Sequence, residues 1–190
     1  MDNREKILQC AEELFYSRGY DAAGVQEIVE MAGVTKPTLY YYFGSKRGLL
    51  EAILEAKSGK LHRSIARETG KAGDVRGKLH ALAGVLCRFF LEERKFYMLL
   101  MALFYSAREN EAYQTVQPYL VEFYCSVRQV FEQAAFELGN MRGRQEQFAI
   151  SFIGAVHQYL VFAWDKGTLE DKGTEQMEEL VNQYLYGIFS

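Results

Sequence analysis

Gln26, Thr35, Lys36, Thr38, Tyr40, Tyr41 and Lys46 place an amide, two hydroxyls, two phenols and two ammonium groups within twenty-one residues of one another. No nucleophile–base pairing is evident among these groups. They donate and accept hydrogen bonds and neutralise anions, the chemistry by which base edges and phosphates are read. Elsewhere no Cys or His cluster has metal-ligand spacing. No Gly-rich loop runs into Lys-Ser or Lys-Thr, and no Gly-x-Ser-x-Gly occurs, so neither an enzyme nor a cofactor is expected.

Side chains of this kind need a scaffold that turns sharply. Val29, Gly33 four positions on and Leu39 six further have the spacing of a helix-turn-helix. The apolar residue packs on the turn, Gly takes a backbone conformation that strains other residues, and Leu locks the second helix. A plain three-helix hairpin satisfies the same spacing. Thr35 is placed to cap the second helix, and Pro37 is tolerated in its first turn. The pattern predicts short helices over 26–32 and 36–42, too short to persist alone. Before them, Ile7, Ala11, Leu14 and Phe15 form the stripe of a first helix, with an Asp2–Glu5 cap and a stop at Gly19. The formal net charge is −3, but residues 1–80 carry 13 Lys/Arg against 11 Asp/Glu, whereas residues 81–190 carry 9 against 14. Between Met31 and Leu50 stand Lys36, Lys46 and Arg47 and no acid, a local excess suited to phosphates.

The run Ala32-Gly33-Val34-Thr35-Lys36-Pro37-Thr38-Leu39-Tyr40-Tyr41-Tyr42-Phe43-Gly44-Ser45-Lys46 resembles the TetR family of regulators (TetR/AcrR-like). The likeness reaches back through Ala11-Glu12-Glu13-Leu14-Phe15 and Arg18-Gly19-Tyr20, and on to Leu49-Leu50. It implies a ligand-responsive transcriptional regulator, usually a repressor, that binds a palindromic double-stranded DNA operator as a homodimer. Carried over position by position, it makes Thr35, Lys36, Thr38 and Tyr41 the exposed face of the recognition helix. It sets Tyr40 and Lys46 on phosphates and adds Gln26 and Pro37 to the DNA-facing set. Leu39 and Phe43 stay inside, and helical spacing gives Tyr42 mainly to the core. Gly24, Val29 and Pro37 depart from the residues common in the family, so an operator cannot be copied from relatives.

The rest of the chain keeps helical periodicity. A longer helix is expected from Ser45, its N-cap, to about Glu68, closed by the break at 69–73, which bounds the body. Its Ser58-Gly59 pair is read either as a hinge or as a tolerated surface glycine. Val75, Leu79, Leu82, Leu86 and Phe89 make one further stripe, and Val116, Leu120, Phe123, Val127, Val130 and Ala134 another. Met177, Leu180, Val181, Tyr184, Leu185 and Ile188 make the last. The fold class expected is all-α. A three-helix head is joined by a long helix to a C-terminal bundle, with residues 1–46 for DNA binding and 47–190 for ligand binding and dimerisation.

Residues 81–190 hold 20 aromatics, more than a plain core needs, alongside the adaptable Met98 and Met101. The reading is a pocket for a small apolar or aromatic effector, drawing on His62, Ile65, Leu86, Phe90, Met98 and Met101. Phe104, Tyr105, Phe123, Tyr124 and His157 complete that set. Core packing explains each aromatic taken singly, and a satisfied structural role explains each histidine. The segment 148–164 is apolar nearly all round and needs cover on two sides. A second subunit is expected there, meeting Phe152, Gly154, Ala155, Tyr159, Phe162, Val181, Tyr184 and Leu185.

The segment is too short and too polar to span a bilayer, so no membrane partner is expected. The start shows no targeting segment, and a cytoplasmic location follows as an expectation. Cys10, Cys87 and Cys125 are read as reduced core thiols. A competing function is a DNA-binding protein that recruits partners through its acidic body and senses no small molecule.

Overall fold

The computed structural model describes residues 2–71, 73–136 and 143–187, and all regular structure among them is helical. In chain order the helices are α1 (Asn3–Arg18), α2 (Val25–Ala32), α3 (Lys36–Phe43), α4 (Lys46–Thr69), α5 (Val75–Glu92), α6 (Arg94–Phe104), α7 (Glu111–Gln133), α8 (Gln145–Asp165) and α9 (Leu169–Tyr186). Ile188, the last member of the final stripe, lies outside the described residues. None of the described helices is long and apolar enough to cross a membrane.

Local chemistry accounts for the ends of the first helices. Asp2 accepts from the Glu5 amide at 2.8 Å while Glu5 accepts from the Asp2 amide, a reciprocal cap that satisfies two orphan donors of α1. Thr35 begins α3 by accepting from the Thr38 amide at 3.4 Å. Ser45 begins α4, its hydroxyl accepting from the Gly48 amide at 2.9 Å. Between α2 and α3, Gly33 sits at φ 65°, ψ 35°, where a Cβ would crowd the backbone.

By compactness the chain divides into two units, residues 1–60 with 93–121, and residues 61–92 with 122–190. In the first, α1 packs on α2, α3 and α6 around the fully buried Ile7, Ala11, Ile28, Leu39, Leu49 and Leu50. The unit therefore includes α6 and the start of α7 as well as the head. In the second, α5 packs on α8 and α9, with Leu79, Leu82, Leu86, Phe90, Leu160 and Val181 fully buried. Helix α8 buries Ala149, Phe152, Val156, Leu160 and Ala163 and leaves Ile150 and Phe162 more than half exposed.

Three expectations change here. Phe152 and Val181, assigned to a subunit interface, are 1% and 0% exposed inside their own unit, because the inward phase of α8 runs through Phe152 and that of α9 through Val181. Tyr105, assigned to the pocket, is 79% exposed, and Phe104 beside it 39%; they pack edge to face on each other at the end of α6. Cys125, read as a core thiol, is exposed, whereas Cys87 is buried and Cys10 lies between.

Candidate nucleic-acid interface

Helix α3 is a two-turn rod fixed by one face. Leu39 is fully buried, an anchor worth roughly 1.5–3 kcal/mol, and Phe43 is half-buried under the Arg4 guanidinium, 5.5 Å from the ring centre. The junction to α4 is equally constrained. A Cβ on Gly48 would stand 2.1 Å from the Phe43 carbonyl oxygen, so only glycine lets the end of α3 lie against the first turn of α4. Sequence spacing missed this role, and only the close approach of the Phe43 carbonyl exposes it.

The opposite face carries the groups capable of recognition. Thr35, Lys36 and Pro37 are exposed, Thr38 is half-buried, and the Thr35 and Thr38 hydroxyls lie 2.9 Å apart. Tyr41 is 83% exposed and Tyr40 46%. These residues share the first two turns of one helix, whose N-terminus carries a fractional positive charge. Tyr42, given mainly to the core, is instead 40% exposed and meets Tyr41 edge to face at 5.2 Å; Leu39 and Phe43 already fill the inner side. Gln26 is exposed on α2, its amide donating to the Glu30 carboxylate.

Lys46 points elsewhere than expected. Its ammonium donates to the Asp21 carbonyl at 3.3 Å and lies 4.4 Å from the centre of the Tyr20 ring, and burial pulls its pKa below the ordinary lysine value. Tyr20, itself 6% exposed, donates its hydroxyl to Glu111 at 3.2 Å. The Asn110 amide donates to the Asp21 carboxylate at 2.6 Å. Burial and the Glu111 carboxylate push the Tyr20 phenol well above its usual pKa. These partners lie 89 and 91 residues apart along the chain, and nothing in the sequence signals the pairing.

The expected effector residues fall in both units. Met98 and Met101 are half-buried in the first unit with Phe104 and Tyr105. In the second, Ile65, Leu86 and Phe90 are at most 2% exposed, and Phe123 packs on His157 with ring centres 5.8 Å apart. His62 Nδ1 lies 3.0 Å from Glu122, while its buried Nε2 has no hydrogen-bond partner. The Tyr124 hydroxyl faces the Arg128 guanidinium and the Glu146 carboxylate, and desolvation raises its pKa above the usual phenol value. Burial lowers the His157 pKa to about 4, so its imidazole is neutral at pH 7. At the expected subunit contact, Gly154 and Phe162 are exposed, Ala155 and Tyr159 are half-buried, and so are Tyr184 and Leu185. Tyr184 also donates to the Phe148 carbonyl at 2.7 Å within its own unit.

A short helix after a left-handed glycine, anchored by one apolar face and presenting hydroxyls, a lysine and a tyrosine on the other, defines a helix-turn-helix protein. Residues 7–53 match the family model described as bacterial regulatory proteins, tetR family. The HTH-type transcriptional activator FasR of Mycolicibacterium smegmatis is 34% identical over 99 residues, 52% of this chain and 45% of that protein. Over its match the chain spans less than half the length of each of the first curated relatives. Among solved structures, the fatty acid degradation regulator FadR from Bacillus halodurans superposes with a TM-score of 0.82 at 18% identity, covering 100% of this chain and 97% of that one. The transcriptional regulator FadR from Bacillus subtilis, solved in complex with stearoyl-CoA, superposes at 0.77 with 16% identity, over 97% and 98% of the two chains. Over residues 7–53 the chain thus matches the tetR family of bacterial regulatory proteins, and its fold is shared with solved TetR-like regulators.

Proposed function

We propose that this chain is a ligand-responsive repressor that binds a near-palindromic DNA operator as a homodimer and is released by a small apolar or aromatic effector. The observation that carries the DNA-binding part is the outer face of α3, where Lys36 and the 83%-exposed Tyr41 stand on a helix whose inner Leu39 is fully buried. A side chain held out from a rigid helix can reach a base edge without distorting the fold. Thr35 and Thr38 lie on the same turn, within reach of the groove floor or of phosphates. One head offers few contacts, so paired heads meeting half-sites about 34–36 Å apart, or a multiple of it, supply the specificity. The exposed face of α8 with Ile150, Gly154, Gln158 and Phe162 is the surface proposed to join the two copies.

Support for an effector comes from a polar atom buried without a protein partner, His62 Nε2, in a helical unit rich in aromatics. A ligand with an apolar body and hydrogen-bonding groups suits such an atom. Acyl compounds enter the screen because one protein of the same fold was solved with stearoyl-CoA.

The test has two arms. Bound sequences are selected from random duplex DNA, and Lys36→Ala and Tyr41→Ala are then compared on the selected site. Each should lose about 1–3 kcal/mol of affinity with an unchanged melting temperature, relaxing preference at one position. Undiminished affinity in both refutes the assignment of α3. Melting of the full chain with lipophilic cations, acyl compounds and aromatic drugs then identifies the effector class, and release of the selected DNA by the stabilising compound tests repression by ligand.

A further inference from the structure

We propose that the entrance to α7 is an electrostatic brake on DNA binding: Asn110 and Glu111 hold the Tyr20–Asp21 corner so that Lys46 is drawn back onto the head, and a phosphate must displace it. This rests on the reading that the α3 side of the head meets DNA.

All five residues belong to one compact unit. Asn110 opens α7, its side-chain oxygen accepting from the Ala112 amide at 2.7 Å, so the direction of its amide is set by the helix it begins. That amide reaches the Asp21 carboxylate at 2.6 Å, and the carbonyl of the same Asp21 accepts from Lys46 at 3.3 Å. On the other side of the ammonium lies the Tyr20 ring, 4.4 Å from nitrogen to ring centre, and its hydroxyl donates to Glu111 at 3.2 Å. Lys46 thus occupies a seat made of a carbonyl and an aromatic face, with the Asp21 and Glu111 carboxylates beside it. A cation over a partly desolvated ring beside carboxylates is held by attraction that water does not fully screen.

Two consequences follow. Duplex DNA gains the Lys46 charge only by competing with this seat, so the brake lowers affinity for every sequence alike. Any state of the chain that withdraws Asn110 and Glu111 releases the charge and tightens binding. The residues are regulatory through Lys46 and touch no DNA themselves.

The test uses the full chain and a random-sequence duplex, with affinity measured across a series of salt concentrations. Glu111→Gln keeps the shape and an acceptor for Tyr20 but removes the carboxylate charge. It should bind about three- to tenfold more tightly at low salt, with log K falling more steeply against log salt by up to about one unit. The gain should vanish in the Lys46→Ala background, and Asn110→Ala should reproduce it. Glu109→Gln removes the same charge from an exposed neighbouring position and controls for net charge. Equal gains from Glu109→Gln and Glu111→Gln, a gain that survives Lys46→Ala, or no gain at all each overturn the brake. If Lys36→Ala and Tyr41→Ala weaken binding while the Glu111 variant does nothing, the brake fails and the DNA-binding reading stands. If the unaltered chain binds no duplex, both fall.

Discussion

Replacing Lys57 with methionine should destabilise the first unit by about 2 kcal/mol. The Lys57 ammonium lies 2.6 Å from Glu12 on α1 and 2.8 Å from Glu93 before α6, with the three side chains only 25%, 13% and 20% exposed. Both carboxylates touch the same nitrogen, so they stand roughly 5 Å apart, and their repulsion at an effective dielectric near 20 is about 3 kcal/mol. Lys60, 3.0 Å from Glu93, still offsets part of this once Lys57 is gone. Partial exposure reduces the remainder, giving about 2 kcal/mol, or about 4–8 °C in Tm for a chain of this size. Methionine keeps most of the aliphatic stem, so the change reports charge rather than packing. Urea unfolding measures it, and Glu12→Gln added to Lys57→Met should restore most of the loss. Acid gives an independent check with a defined sign. Burial alone would raise the Glu93 pKa, but Lys57 and Lys60 outweigh it and hold the carboxyl below its ordinary value. A depressed carboxyl contributes stability above its unfolded pKa of about 4.3 and loses it as pH falls through the folded value. The deficit of Lys57→Met should therefore shrink below about pH 4. A loss under about 0.5 kcal/mol at pH 7, or no recovery on adding Glu12→Gln, refutes the clamp.

His157→Gln should flatten the stability profile between pH 6.5 and 4. The folded imidazole, held near 4 by burial, stays neutral while the unfolded one takes up a proton, so stability falls with pH through that window by at most about 3 kcal/mol; matching slopes in wild type and variant would contradict this. Gly48→Ala should damage the α3–α4 junction, because its Cβ meets the Phe43 carbonyl at 2.1 Å; a lowered melting temperature together with weaker duplex binding is expected, and a neutral result would show that the close approach is not required. A Cβ on Gly154 meets no atom within 4 Å in its own chain, so Gly154→Glu should leave the fold intact and split the proposed dimer in sedimentation; a stable dimer moves the interface off α8.

What was legible in the sequence is what local chemistry decides. The Asp2–Glu5 cap, the left-handed Gly33, the Thr35 cap and the Ser45 start of α4 each involve residues within a few positions of one another. Their physics is present in any short stretch of the chain. The phase of α8 was not legible, because Ala149, Phe152, Val156 and Leu160 form one apolar stripe and Ile150, Gly154 and Phe162 make a second face interrupted only by Gln158. Periodicity cannot choose between two apolar faces, and Phe152 was placed outward as a result. Tyr105 follows the same logic, since an aromatic run at the end of α6 does not reveal which rings turn out. Contacts between distant segments were invisible too. Lys57 meets Glu12 and Glu93 across 45 and 36 residues, and no spacing rule marks a charge that will be paired from afar.

The same blindness distorts the apparent charge of the reading head. Between Met31 and Leu50 the sequence shows three cations and no acid. In the fold, however, Lys46 lies on Tyr20 near the Asp21 and Glu111 carboxylates, contacts no spacing marks, and Arg47 pairs at 2.9 Å with Glu51, an i,i+4 neighbour just outside that stretch. Both cations already have protein partners, so on the proposed reading phosphate would replace an existing interaction rather than meet a bare charge. The cost of that exchange is the same for every DNA sequence, because phosphates carry no sequence information. It would set how tightly the head holds duplex at a given salt concentration and leave discrimination untouched. On the same reading, discrimination is expected from the outer face of α3, where Thr35, Lys36, Thr38 and Tyr41 stand on a helix braced by Leu39. On this proposal affinity and specificity fall to different residues, and substitutions at Lys46 or Glu111 should shift all operators together while those on α3 reorder them.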